Sequence, residues 1–177
     1  MQIYFERICG SDYDIAPELS TNSSSLIYGE VSHNDIYKII NEIKSNESNF
    51  LDIGSGCGKL AIYLAKKLNV FVDGIEIDKN RYEKSNQLID KFDLFDKVSF
   101  INNDFRNLYF GNYDFLYCCN LVFDQEDNNI LYLKIEKEFN GIFILFEYSN
   151  KLSQYFIKQE QVQTSWSKRV NIFIFKK

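Results

Sequence analysis

The chain is poor in the residues that build several common kinds of site. It has one proline, Pro17, one histidine, His33, and four cysteines, Cys9, Cys57, Cys118 and Cys119. The cysteines show no C-x-x-C spacing and no framework of pairs, which excludes a disulfide scaffold and fits the reduced thiols of an intracellular protein. Positive charge is also scarce. With 20 basic against 25 acidic residues the net charge is -5, which argues against a dedicated nucleic-acid binder, because such affinity rests on clustered Lys and Arg. The local basic pairs, Lys168-Arg169 and Lys176-Lys177, read as solvated ends. No apolar run is long enough to span a membrane, and the opening MQIYFERICGSDYD lacks a basic start followed by an apolar core. The expectation is a soluble, monomeric, cytoplasmic protein without strong nucleic-acid binding and without a membrane partner.

What is present is a core. Hydrophobic residues make up 45% of the chain and aromatics 16%, which excludes a disordered protein, and 177 residues suffice for one domain. Its centre is the stretch 50–64, FLDIGSGCGKLAIYL. Phe50, Leu51 and Ile53 form a short apolar run, Gly54, Gly56 and Gly58 follow at every second position, and Leu60, Ile62, Tyr63 and Leu64 resume at helical spacing. The pattern predicts strand, tight turn and helix, with glycines that let backbone approach a ligand and Asp52 placing a carboxylate at the lip. A dinucleotide fingerprint needs G-x-G-x-x-G, but Lys59 stands where its third glycine belongs. The tighter D-x-G-x-G-x-G resembles instead the first motif of class I S-adenosylmethionine (SAM) methyltransferases. The next apolar run, VFVDGIEI, ends on Glu76, whose carboxylate can hold both hydroxyls of an adenosine ribose. NAD enzymes use the same device, so Glu76 indicates a nucleoside without choosing the cofactor.

Along the chain, residues 1–27 read as an arm or lid and 28–177 as the domain. Ser32 or Asn34 can cap a helix whose Ile36, Ile39, Ile40 and Ile43 share one face, and Glu30 just before it can reach the cofactor's ammonium. His33, exposed in that helix's first turn, reads as incidental rather than catalytic. A helix is predicted over 78–95, a strand over 98–101, and then Asp104-Phe105, suited to an adenine amino group and ring face. Strands follow at 113–120 and 141–147, with a helix at 125–139 between them. The alternating segments 162–166 and 170–175 predict a closing antiparallel pair. The fold expected is α/β and Rossmann-like: a mostly parallel seven-stranded sheet, helices on both faces and a C-terminal antiparallel hairpin.

Ligands in such sheets bind beyond the carboxyl ends of the strands, so Asn120 should face the reacting group. With Pro17 far away there is no N-P-P-Y element of the adenine-amine type. Cys118 and Cys119 lack a Pro-Cys pattern or an activator and read as packing. Asp124, Glu126 and Asp127 read as an acidic helix start, and no residue is assigned to a metal. What remains is an enzyme that holds a neutral amine in line with the sulfonium methyl. It needs an apolar channel that lowers a lysine's pKa and a carbonyl that orients the nitrogen; Asn120 supplies the carbonyl and Phe123 a wall.

These pieces resemble the disruptor-of-telomeric-silencing (Dot) family of histone-lysine methyltransferases. Tyr28-Gly29-Glu30 followed by Ser32 is similar to its Y-G-E-T-S, FLDIGSGCG to its F-V-D-L-G-S-G-V-G, YCCNLVF to F-V-N-N-F-A-F, and TSWSKRVNIFIF to V-S-W-T-G-K-P-V-S-Y-Y-L. The resemblance implies SAM contacts at Tyr28, Glu30, Asp52, Gly54, Gly56, Lys59, Glu76, Asp104 and Phe105. It further implies Asn120 between donor and target lysine, Phe123 and Phe173 lining the channel, S-adenosylhomocysteine (SAH) as product and a protein substrate, with a histone and the nucleus included. The chain departs from that pattern at Val31, Lys59, Cys119, Ile172 and Phe173. Two further readings stay open on the same residues: a small-molecule or RNA methyltransferase, and a SAM-binding module without catalysis.

Overall fold

The computed structural model describes residues 30–43 and 48–177. Tyr28 and the expected arm over 1–27 lie outside the described residues. A helix, α1 (His33–Ile43), comes first, followed by β1 (Asn49–Ile53), α2 (Lys59–Leu68), β2 (Phe71–Glu76), α3 (Lys79–Phe92) and β3 (Val98–Asn102). Then come β4 (Phe115–Cys118), α4 (Gln125–Glu138), β5 (Ile142–Leu145), β6 (Phe156–Val162) and β7 (Val170–Lys176). The seven strands form one sheet in the order β3-β2-β1-β4-β5-β7-β6. The first five are parallel, while β7 runs antiparallel between β5 and β6. This is the expected doubly wound sheet with its terminal hairpin.

Alternation along each strand divides the core between two faces. Phe50, Val72, Phe100, Phe115 and Ile174 pack with Ile36, Ile40 and Leu64 of the helices on one face. Leu51, Ile53, Ile75, Phe143 and Phe175 pack with Leu131 and Ile135 of α4 on the other. Phe50 and Phe115 stack across β1 and β4 at 4.7 Å; truncating either costs about 3–5 kcal/mol through lost burial and the cavity left behind. Ser32 caps α1, its hydroxyl accepting from the Asp35 amide at 3.3 Å.

One strand differs from expectation. The hairpin's outer strand is Phe156–Val162, not 162–166, and residues 163–169 form its connection to β7. The reason is exposure: β6 is the sheet edge and reads FIKQEQV, mostly solvent-facing, so it carries no apolar alternation. The connection folds back instead onto the segment before α1. Val31 bridges Thr164, the Ser32 amide donates to the Gln163 carbonyl at 2.7 Å, and the Gln163 amide donates to Asp35 at 3.0 Å. Strand order reverses direction between β1 and β4, which opens a crevice beyond their carboxyl ends.

Candidate functional site

The crevice is a cavity of about 640 Å³, within the range of small-molecule sites. Its floor is the turn after β1. The Gly54 and Ser55 amides both donate to the Ile75 carbonyl, at 2.9 and 3.1 Å, which pins the turn to the end of β2. Gly54, Gly56 and Gly58 all have positive φ, at 74°, 57° and 76°. They are glycines for different reasons. A Cβ on Gly54 would meet nothing within 4 Å, because it would project into open space, whereas one on Gly58 would lie 2.2 Å from the Phe100 ring. Gly54 keeps a cradle clear for a ligand, and Gly58 lets α2 pack on β3.

Two buried carboxylates flank this turn, Asp52 and Glu76, each 4% exposed. Glu76 accepts from the Gly56 amide and the Asp78 amide, both at 2.8 Å, so it clasps the glycine turn to the start of α3. A carboxylate has about four lone-pair positions, so both oxygens keep capacity toward the cavity. Asp52 accepts no hydrogen bond from the described residues, and burial, with the Glu76 charge adding to it, raises its pKa to about 7.

The opposite wall is ionic. Lys59, in the first turn of α2, pairs with Glu30 at 2.5 Å. A cation at a helix N-terminus is unfavourable to the dipole, and the Glu30 carboxylate offsets it. Glu30 is held in turn by Ser165, whose hydroxyl accepts from the Glu30 amide at 3.1 Å and whose amide donates to the Glu30 carbonyl at 2.8 Å. His33 is buried rather than exposed, its ring 5.8 Å from that of Tyr63. Desolvation, followed by the nearby Lys59 charge, lowers its pKa to about 3, which leaves a neutral imidazole that is a weak base.

Where β3 and β4 end, Phe105 stacks on Phe123 with centroids 5.4 Å apart and planes 15° apart. Arg106 bonds Asp104 at 2.7 Å and also pairs with Asp127, so the loop after β3 is tied to α4, which Asp124 caps. Burial raises the pKa of the Cys119 thiol to about 12 and of the Cys118 thiol well above its ordinary value, so neither is a ready nucleophile.

The cavity thus brings together Glu30, Asp52, Gly54, Gly56, Lys59, Glu76, Asp104, Phe105 and Phe123. It does not include Asn120 or Phe173. Asn120 is fully buried: its Oδ1 accepts from the Phe146 and Glu147 amides at 2.9 and 3.2 Å. Its Nδ2 donates to Asn128 Oδ1 at 2.6 Å and to the Tyr132 hydroxyl at 3.3 Å. The carbonyl expected to orient an amine is therefore engaged by backbone and cross-ties the ends of β4 and β5. Phe173 pairs with Leu145 in the sheet and packs its ring against Tyr148 at 5.4 Å, in the α4-side core.

Sequence reasoning missed Arg81, Arg106 and Tyr117, which also line the cavity. Tyr117 was accessible to it, since parallel pairing sets Tyr117 directly beside Asp52. Trp166 also lines the cavity and is 48% exposed.

Residues 50–135, from β1 into α4, match the model of a methyltransferase domain. Curated proteins provide no sequence match. Among solved structures, magnesium protoporphyrin IX methyltransferase from Synechocystis PCC 6803 with bound SAH is 13% identical, with TM-score 0.69 over 82% of this chain and 81% of that one. An RNA methyltransferase from Salinibacter ruber in complex with SAH is 15% identical, with TM-score 0.62 over 80% of this chain and 88% of that one. A candidate sarcosine dimethylglycine methyltransferase from Galdieria sulphuraria is 16% identical, with TM-score 0.58 over 64% of this chain; the chain spans only 44% of that protein's length. At these identities the likeness establishes the fold, a Rossmann-like methyltransferase fold. Among the described residues no helix is long and apolar enough to cross a membrane.

Proposed function

We propose that the chain is a SAM-dependent methyltransferase acting on an amine, with a protein lysine as the leading acceptor. The observation that carries the cofactor reading is Glu76, a buried carboxylate bonded to the Gly56 amide beside the open space over Gly54. The donor set suits SAM: Glu76 for the ribose hydroxyls, Asp104 and Phe105 for the adenine, and the Lys59–Glu30 pair for the carboxylate and ammonium of the amino-acid end. When bound, SAM would supply a methyl group activated on a sulfonium, toward which the chain's residues would hold a neutral amine.

The chain's own residues have little acid–base work in this scheme. Leu121, Val122, Phe123 and Trp166 line the mouth and exclude water from an incoming amine. Desolvation lowers an amine's pKa and delivers it neutral. The stacked Phe105–Phe123 pair holds that wall in place, and the buried amides of Asn120 and Asn128 brace it from behind, with Asn128 donating to the Phe123 carbonyl at 3.2 Å. Lysine as the acceptor is supported by the Dot-like motifs and by the acidic character of the chain, which suits a basic protein better than a nucleic acid.

A second reading, a small-molecule acceptor, is favoured by the structural neighbours named for a porphyrin and for sarcosine dimethylglycine. Transfer of labelled methyl from SAM separates the two when the purified chain is offered intact nucleosomes, free histones, a protein extract and the low-mass fraction of that extract. Label on protein lysine is the expected result. Label confined to the low-mass fraction would replace the acceptor while leaving the cofactor reading intact.

A further inference from the structure

We propose that Asp52 is the group by which the site tells the cationic cofactor from its neutral thioether product, binding the cation with release of a proton. The inference rests on the SAM reading above and concerns which residue senses the sulfonium charge. Its basis is the difference between two neighbouring acids. Asp52 and Glu76 are equally buried, but Glu76 receives two backbone N–H bonds, while Asp52 receives none from the described residues. Hydrogen bonds from N–H groups favour a carboxylate's charged form, and Asp52 lacks them.

Several titratable and charged groups surround Asp52. Glu76 faces it from β2. Tyr117, level with Asp52 across the sheet, and Cys119, just beyond β4, lie on its side, while Cys118 points to the opposite face; burial raises the pKa of all three, so they stay protonated. His33 and the Lys59–Glu30 pair line the same cavity, and His33 is neutral above pH of about 3. Arg81 adds a guanidinium. The Asp52 carboxyl itself titrates at about 7.

A sulfonium entering this cavity adds positive charge beside a carboxyl poised between its two states. It favours the carboxylate and so expels the proton. SAH carries no such charge and leaves the proton where it is. Affinity for SAM should therefore rise with pH across the neutral range, by at most about tenfold per pH unit, while affinity for SAH stays level. Turnover then gains a built-in preference for entering cofactor over departing product above pH of about 7.

Calorimetric titration of the purified chain with SAM and with SAH, from pH 6 to pH 8.5 in buffers of different ionisation heat, tests this by counting protons. The expected result is a fraction of a proton released per SAM near pH 7, none for SAH, and a SAM-to-SAH affinity ratio that rises with pH. Equal slopes for the two ligands, or no proton release with SAM, would overturn the proposal while sparing the cofactor reading. Failure of both ligands to bind at any pH would overturn the cofactor reading and the proposal with it. Asp52→Asn should remove the pH dependence of the ratio, and a variant that binds with the slope intact would assign it to another group. Should that variant not fold, the proton count of the unmodified chain decides alone.

Discussion

Asp52 and His33 are buried in opposite senses to their charges, and their effects on stability nearly cancel over a wide range. His33 has its pKa lowered from 6.5 to about 3, so its burial favours folding fully above pH of about 6.5 and loses that contribution as pH falls through this window. Asp52 has its pKa raised from 3.8 to about 7, so its contribution is complete below 3.8 and is lost as pH rises toward 7. Between those limits the folded chain holds its proton on Asp52 and the unfolded chain on His33, and the two states bind equally many. The pair should give a flat stability profile from pH of about 4 to 6.5, which chemical denaturation at several pH values measures. Asp52→Asn should uncover the histidine's slope, with stability falling toward acid by up to about 1.4 kcal/mol per pH unit; an unchanged flat profile would contradict this account. Asn120 makes a separate prediction at the same scale. Asn120→Ala strips the acceptor from two buried backbone amides and should cost about 2–4 kcal/mol in stability, read as a lower denaturation midpoint. An unchanged midpoint with lost turnover would return this residue to the acceptor site.

The glycine turn and the hairpin connection show which elements the sequence made legible. Gly58→Ala meets both a positive φ and the Phe100 ring, so it should destabilise by more than about 1 kcal/mol, and Phe100→Leu should recover part of the loss. Gly54→Ala meets only the φ strain within the protein and should weaken cofactor binding more than folding; thermal melts and calorimetry on the two variants compare these effects. The strand–turn–helix around these glycines was readable because apolar residues and glycines lie within a few positions of one another. The face of α1 was readable for the same reason. The outer strand of the hairpin was not, because an edge strand in solvent needs no apolar alternation, as FIKQEQV shows. Nor was the clasp of Val31 on Thr164, or Arg106 on Asp127, since each joins residues whose local sequence carries no sign of the other. The burial of Asn120 was not legible, because an amide at a strand's carboxyl end looks the same in sequence whether it faces the cavity or the core.

At the scale of the whole molecule, chain reversal between β1 and β4 gathers the acids of the first two strands, the loop after β3 and the apolar segment after β4 around one crevice. The start of the described residues meets the β6–β7 connection there as well, since that connection carries Ser165 and Trp166 to the same rim as Glu30. Glu76 clasps the turn, and the proposed cofactor site rests on it. Glu76→Gln should weaken SAM binding by about 1–3 kcal/mol, with a smaller loss of thermal stability, because one amide oxygen can still serve a backbone N–H. The central claim, that this crevice is built for SAM rather than for a dinucleotide, is tested most directly by titrating the purified chain with SAH and NAD in parallel in a calorimeter. The account predicts one saturable SAH site per chain and no heat from NAD. Saturable NAD binding, or no binding of SAH, would contradict it.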